Sequence, residues 1–505
     1  VSSRGVVAAG HPLTAEAGAE ALRVGGNAVD ATVSAAMASF SLESALTGLG
    51  AGGFMVVSGP GQEPVLLDFF VAAPGQGELE RTGELIPVPV HFDEKTSQVF
   101  NAGAASCGVP GVAAGLALAL ERFGSMELRD LIGPGVKFAR QGAPLNREQA
   151  YVLRILEPIY TATAEARKIY APDGHYLAEG DLFRYPDLAV ALERFAEEGA
   201  EAFYGGDIAE SIESYVCGLG GVLSVADLAA YEVIAREPVT AKFKGHEIFT
   251  NPPPSAGGIL VALCLSMLER IGSSGTVDIN RVMSAANAAR GGEFAESLKI
   301  EGFSARFLSS DSVSRALESS DRLGSTTHLA AMDSDGLCAS ITCSNGTGSG
   351  LVVPGTGIHL NNMLGEEDLN PLGFHMALPG SRVSSMMSPT VIRRDGEVVA
   401  GIGSAGSNRI RSAVLQTTIN LLDRGMSPQE AVDAGRIHLE AGILQAEPGV
   451  DGDGLAALEA TGQEVFRWTS KNLFFGGVQM VTRDCETGEL DGAGDPRRGG
   501  AVVHV

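Results

Sequence analysis

The spacing of apolar positions divides the chain into two textures. Up to about residue 300, apolar side chains recur mainly at helical intervals. Residues 14–24 and 28–43 are Ala-rich helical runs, separated by Gly25-Gly26, a pair that suits a helix stop because glycine accepts the left-handed conformation. Further helices are predicted over 111–123, 128–141, 146–167, 187–198, 225–231, 257–271 and 278–298. Pro252-Pro253-Pro254, followed by Gly257-Gly258, marks a rigid turn into the sixth of these. After about residue 324 a strand-like alternation takes over. Residues 326–332 and 337–343 read as a hairpin around Asp335-Gly336, and 390–393 with 397–401 as a second around Asp395-Gly396.

Two helices follow, over 409–424 and 428–436. Ser427-Pro428-Gln429-Glu430 gives the latter an N-cap, a first-turn proline and a capping-box glutamate. Strands near 475–482 and 500–505 close the chain. Helices on both sides of strand hairpins predict an α+β fold, with helices outside and two sheets within. There is no internal repeat and no low-complexity tract.

Composition adds limits rather than an identity. The chain has 505 residues, 45% hydrophobic and 19% charged, enough for a sizeable core. That length suggests two to four domains, although one large sandwich also reaches it. A formal net charge of -25 repels phosphate backbones and anionic lipid, so neither nucleic acid nor a membrane surface is expected as a partner. No apolar run approaches the length of a membrane span, and no signal peptide opens the sequence. The six cysteines are scattered without CxxC or metal-ligand spacing, so no metal or other cofactor is expected. Cys338 and Cys343, an odd number apart in one strand, should face opposite ways. Reduced thiols lean toward the cytoplasm. A first residue of Val leaves room for a removed secretory leader, so the compartment stays open.

Two short motifs carry candidate chemistry. Gly48–Gly53 matches G-x-G-x-x-G, but a helix precedes it and a strand follows. A dinucleotide loop has the reverse order, because its helix N-terminus must meet the pyrophosphate. Tight helix-to-strand packing is the better account. Gly324-Ser325-Thr326-Thr327-His328 places hydroxyls at the start of a hairpin, in a chain without a Ser/His/Asp motif. Such a cluster is ordinarily a turn. It is also what an N-terminal nucleophile enzyme requires: cleavage before Thr326 frees an α-amine that serves as general base for the Thr326 hydroxyl. His328 shares a strand face with Thr326, and a structural hydrogen bond within the sheet is its expected role.

At these residues the sequence resembles the γ-glutamyltransferase family of N-terminal nucleophile hydrolases, almost end to end. The matching stretches are Gly25–Ala31, Gly52-Gly53-Phe54, Cys107–Gly115, Pro253–Gly258, Thr326-Thr327-His328, Asp333 with Asp335-Gly336, and Gly357–Asn362. Ser384-Ser385-Met386 with Ser388-Pro389 and Asp495-Pro496-Arg497 complete the set. The resemblance implies a four-layer αββα sandwich. It also implies autocatalytic cleavage of the Ser325–Thr326 bond into a large subunit, 1–325, and a small subunit, 326–505, that intertwine. Thr326 would then form an acyl-enzyme with a small-molecule amide. Ser344 would hold the Thr326 hydroxyl. Asn345, within a one-residue shift, would contact substrate. Gly406 and Ser407 would offer backbone N–H groups as the oxyanion hole, provided that Ser407 accepts a conformation the family gives to glycine. A higher homo-oligomer stays among the expectations.

Two departures bear on substrate. Phe70 stands where the family has an arginine that grips the α-carboxylate of a γ-glutamyl group, and no guanidinium fork can come from it. Met363-Leu364-Gly365 follow Asn361-Asn362 where the family places acidic or amide side chains for the substrate amine, and Glu366 or Glu367 substitutes only if the loop shifts. Arg81, Arg382 and Arg409 are candidate replacements for the missing arginine, and Ser384 and Ser385 remain candidate carboxylate donors. The segment 368–383 is short for the family, which predicts a more open pocket that Phe70 and Met363 line with apolar surface. The leading expectation is an N-terminal-threonine amidohydrolase or acyltransferase whose acyl group need not be glutamyl, for example a glutaryl or other dicarboxylate monoamide. A genuine γ-glutamyltransferase or glutathione hydrolase is the runner-up. An uncleaved, ligand-binding family member and a nucleotide-dependent oxidoreductase are the alternatives from other classes.

Overall fold

Side-chain alternation along Thr327–Asp333 sets the architecture, because this strand is buried throughout and must satisfy a packing layer on each face. The computed structural model describes residues 4–91, 97–290, 293–309 and 326–505. Thr327–Asp333 lies in a seven-stranded antiparallel sheet. Gly5–Ala9 pairs on one side of it and Cys338–Ser344 on the other. Ala501–His504 extends the sheet beyond Gly5–Ala9, and Gly52–Ser58, Val65–Phe69 and Ile234–Arg236 extend it the other way. A six-stranded antiparallel sheet is ordered Leu490–Gly494, Gly477–Arg483, Glu397–Ala405, Thr390–Arg394, His246–Thr250, Val239–Phe243.

The two faces of Thr327–Asp333 divide as a period of two requires. Leu329 and Ala331 join the apolar cluster of the helices Pro12–Arg23, Ala28–Leu42 and Val112–Phe123. Ala330 and Met332 join a second cluster with Val391, Ile402 and Val478 of the six-stranded sheet. Cys338 and Cys343 fall in different clusters, facing opposite ways as their odd separation demands. On the six-stranded sheet pack the helices Gly257–Ile271 and Asn408–Leu422. The sheets approach closely where Gly403 meets His328: a Cβ on Gly403 would lie 2.2 Å from the imidazole, so only glycine fits.

Several motifs prove to be joints of this frame. Asn27 and Asp30 form a capping box at the head of Ala28–Leu42, and the Asp333 carboxylate accepts the Ala28 N–H at 3.0 Å, tying the hairpin to that helix. Asn361 donates to the Gly50 and Gly108 carbonyls at 2.9 and 3.0 Å, linking three motifs. The glycine-rich loop is indeed a packing device, since a Cβ on Gly50 would sit 2.2 Å from the His359 carbonyl oxygen. Ser427 and Glu430 make the expected capping box. Asp395 and Gly396 both take positive φ, 52° and 87°, in the second hairpin turn.

Proline and glycine explain where elements depart from the periodicity. The helix expected over 128–141 divides into Leu128–Leu131 and Gly133–Gln141, with Pro134 in the first turn of the second. The helix expected over 146–167 becomes Arg147–Ile155, Glu157–Tyr160 and Ala164–Tyr170, interrupted near Pro158, which has no N–H to continue the ladder. The helix expected over 278–298 runs as Thr276–Ala289, with a separate turn Phe294–Ser297. Strands Gly5–Ala9 and Val65–Phe69 and the hairpin Val239–Phe243 with His246–Thr250 were not evident. Gly5–Ala9 and most of Val65–Phe69 are buried on both faces and lose the alternation that would mark them, whereas Val239–Phe243 does alternate and its pattern was there to be read.

Gly403→Ala should lower stability by about 1–3 kcal/mol through overpacking against His328. Chemical denaturation checks this, and adding His328→Ala should recover part of the loss.

Candidate active site

Thr326 immediately precedes Thr327–Asp333 and is 3% exposed. The register pairs Thr327 with Cys343, so Ser344, the last residue of its strand, lies at the level of Thr326. The Ser344 hydroxyl is buried and accepts the Gly346 N–H at 2.8 Å. The strand Glu397–Ala405 runs past His328 at Gly403 and delivers Gly406 and Ser407 to the same end of the sheets, at the head of Asn408–Leu422. Arg498 joins these parts. Its Nη1 donates to the Thr326 carbonyl at 3.3 Å, and a Cβ on Gly406 would lie 3.5 Å from its Nη2. Ser325, the other half of the expected cleavage site, lies outside the described residues.

Gly406 has φ 113°. Ser407 has φ 49° and ψ −118°, a conformation that favours glycine, so the serine does adopt the backbone its position asks for. The two residues end a strand and begin a helix of 15 residues, whose N-terminus carries the positive end of the helix dipole. Backbone N–H groups at such a junction suit an anionic oxygen.

Behind the nucleophile strand lies a residue that sequence reasoning missed. Glu43 follows Ala28–Leu42 and is buried. Its carboxylate accepts the Thr327 hydroxyl at 2.7 Å and the Thr14 hydroxyl at 2.9 Å. Burial raises its pKa, while those two bonds and the charge of Arg498 oppose the rise. The available signal was a lone acid closing an otherwise uncharged helical run after Asp30. Arg498 was also missed. Burial and neighbouring Arg409 pull its pKa down to about 10, against Asp495 and Glu43.

His328 hydrogen-bonds through Nδ1 to the Thr342 hydroxyl at 2.8 Å, across the strand pair. Burial pulls its pKa down to about 3, which keeps the ring neutral. The sheet bond accounts for this histidine.

The residues expected at the substrate end divide into three groups. Phe70 and Met363 are 0% and 1% exposed and share the apolar cluster between the sheets, with Phe70 stacked on Phe54 at 5.2 Å. Glu366 is brought back by a 3-10 turn, Met363–Gly365. Its carboxylate accepts the Thr347 N–H at 3.1 Å, while Glu367 is an exposed residue. A Cβ on Gly346 would lie 2.1 Å from Asn362 Oδ1 and 2.5 Å from Glu366 Oε1, so both acceptors converge on the turn after Ser344. Burial raises the Glu366 pKa to about 7, with the Thr347 N–H and Arg409 opposing. Asn345 is fully buried, and neither polar atom of its side chain has a partner among the described residues.

Ser384 donates to the Pro254 carbonyl at 3.1 Å, and the Ser385 hydroxyl accepts the Met387 N–H at 3.1 Å, so both already serve the loop around Pro254. Of the three arginines, Arg382 is committed elsewhere: it pairs with buried Asp68 at 3.2 Å and lies 4.5 Å over the Tyr231 ring. Asp68 also takes Arg236 at 2.7 Å. Arg409 donates through Nε to the Phe474 carbonyl, and its buried Nη1 has no partner. Arg81 is half-buried, with an unpartnered Nε.

Two outcomes test this arrangement. Arg382→Met should cost about 2 kcal/mol, because buried Asp68 loses one of its two arginine partners, and urea denaturation measures it. The folded pKa of Glu366 stands above its unfolded value, so the stability it contributes is complete below about pH 4.5 and is lost as pH rises through about 7. Glu366→Gln should therefore flatten the decline in stability across that window.

The chain is similar to known proteins over its length. The sequence profile described as Gamma-glutamyltranspeptidase matches residues 14–505. The glutathione hydrolase proenzyme of Bacillus subtilis (strain 168) is 29% identical, with 100% of this chain and 92% of the relative covered. The acylase ACY 1 proenzyme of Pseudomonas sp. (strain SE83) is 30% identical, with 100% and 94% covered. The crystal structure of cephalosporin acylase from Bacillus halodurans superposes with a TM-score of 0.84 at 26% identity, covering 99% of this chain and 96% of that one. The chain belongs to the gamma-glutamyltranspeptidase family of hydrolase proenzymes.

Proposed function

We propose that this protein is a self-processing amidohydrolase, with acyl-transfer capacity, that uses Thr326 as nucleophile on amides whose acyl group need not be γ-glutamyl. In the precursor the Thr326 hydroxyl attacks the Ser325 carbonyl, the peptide nitrogen leaves as the Thr326 α-amine, and water opens the resulting ester. The products, 1–325 and 326–505, stay intertwined in an αββα sandwich. In turnover the α-amine takes the proton from Thr326 Oγ as the oxygen attacks the substrate carbonyl. Backbone N–H groups of Gly406 and Ser407 receive the oxyanion, an arrangement worth about 3 kcal/mol per donor. Collapse returns the proton to the leaving amine, and water or another amine takes the acyl group from Thr326. Ser344, one step across the strand pair, holds the hydroxyl.

Phe70 carries the substrate reading. It is sealed against Phe54 where a carboxylate-gripping arginine is the family pattern, and Arg382 is occupied by Asp68. Phe70 and Met363 are sealed in the core and do not line an open pocket as the sequence led us to expect, so what supports a glutaryl-type acyl group over an α-amino acid head is the missing guanidinium fork. The name of the Bacillus halodurans relative, a cephalosporin acylase, is consistent with this. A genuine γ-glutamyl specificity is the second reading. Glu366, Asn362 and Asn345 favour it, since their acceptors converge beside Ser344 and suit a substrate amine.

Thr326→Ala should leave a single band near 52.1 kDa on a denaturing gel and reduce turnover by at least about 1,000-fold. Thr327→Ala, which removes one of two hydroxyl bonds to Glu43, should retain part of both. A wild-type chain that never splits and turns over no amide would instead mark a ligand-binding family member. Glutaryl-p-nitroanilide should be hydrolysed with higher kcat/KM than γ-glutamyl-p-nitroanilide, and the opposite preference would establish the second reading.

A further inference from the structure

Four arginines, Arg409, Arg436, Arg497 and Arg498, are buried around the turn Pro496–Arg498 and the head of Asn408–Leu422. Asp495 pairs with Arg436 at 2.7 Å and with Arg497 at 3.2 Å, and Glu447 also pairs with Arg497. Those two acids are thereby matched to two arginines. Arg409 has Glu440, Asp368 and Glu366 around it. Arg498 is the surplus cation. Its Nη1 donates to the Thr326 carbonyl at 3.3 Å, and its buried Nε has no partner among the described residues. The place is built for it: a Cβ on Gly477 would lie 2.4 Å from Arg498 Cδ, so the strand leaves the arginine stem its room by beginning with glycine.

A cation held there bears on the nitrogen of the same threonine. Cleavage before Thr326 would turn that nitrogen into an α-amine, which serves as base only while it is unprotonated. An ordinary α-amine, with a pKa of about 7.7–8.0, is mostly a cation at pH 7. Contact with the Thr326 carbonyl puts the guanidinium within about 7 Å of the nitrogen, in a buried setting that salt screens little. A cation so placed disfavours a second one. Arg498 itself stays charged, since burial and Arg409 lower its pKa only to about 10.

The other titratable groups nearby do not cancel this field. Glu43 lies under the Thr327 hydroxyl, and burial raises its pKa and so favours the neutral acid. Asp495 is already shared by two arginines, and Arg409 adds positive charge. Burial keeps His328 neutral, with its pKa down to about 3, and pushes the Cys343 thiol up. Glu366, past Ser344, has its pKa raised by burial to about 7, so it is only partly ionised near neutrality.

We propose that Arg498 is a positioning residue of the reaction, whose charge keeps the freed Thr326 α-amine unprotonated at neutral pH. This rests on the reading of Thr326 as nucleophile. Arg498 neither gives nor takes a proton. The amine takes the proton from Oγ as that oxygen bonds to the substrate carbonyl carbon, and passes it to the leaving nitrogen.

Cyanate carbamylates neutral amines, so its rate against pH, followed by mass spectrometry of the small-subunit N-terminus, titrates the Thr326 amine directly. In the self-cleaved wild type this titration should lie below the ordinary α-amine range. Arg498→Met should raise it by about 1 pH unit, and the acidic limb of kcat/KM should move up with it. Arg498→Lys keeps the charge and should leave both near their wild-type positions. A purely structural role would lower kcat at every pH without moving either titration, and that result in Arg498→Met would overturn the proposal. If Arg498→Met does not assemble, the wild type decides: an amine that titrates within or above the ordinary range overturns it. A wild-type chain that stays uncut near 52.1 kDa is a different failure, which removes the reading of Thr326 and the proposal with it.

Discussion

The close approach of the two sheets at Gly403 and His328 is the constraint on which the site depends. With any side chain at 403 the strand Glu397–Ala405 would stand away from Thr327–Asp333. The Gly406-Ser407 junction would then no longer reach the level of Thr326. His328 fills that contact as a neutral ring, held by Thr342. The residue that looks most like a general base is thus part of the spacing between sheets.

Buried charge holds the other side of Thr326. Asp495 pairs with Arg436 at 2.7 Å and Arg497 at 3.2 Å and accepts the Val478 N–H, which anchors the tight turn Pro496–Arg498 to the six-stranded sheet. Arg497 pairs in turn with Glu447. The turn leaves Arg498 extended to the Thr326 carbonyl, in the field of Glu43. Isolated buried charges are expensive, and this network satisfies most of them mutually. The Asp-Pro-Arg motif therefore acts as a mount, and the residue after it does the reaching.

The substrate end is built on different terms. An aromatic pair occupies the position of a guanidinium, while Asn345, Asn362 and Glu366 keep polar atoms near Ser344. Apolar closure and incompletely satisfied acceptors sit within a few residues of one another.

Membership of the gamma-glutamyltranspeptidase family, the hairpin that follows Thr326 and the capping of the main helices were legible in the chain. They rest on local chemistry: glycine and proline conformations, capping side chains and alternation all act over a few residues. The long-range pairings were not. Gly5–Ala9 beside Thr327–Asp333, Glu43 under Thr327 and Arg498 on Thr326 join residues hundreds of positions apart, and no local pattern encodes such partners. The 3-10 turn that returns Glu366, and the ion pair that withdraws Arg382, likewise appear only when the loops are packed. Sequence alone determined the family and the reaction type expected of it. The tertiary structure decided which side chains are free to meet a substrate, because burial and pairing depend on neighbours that the order of residues does not name.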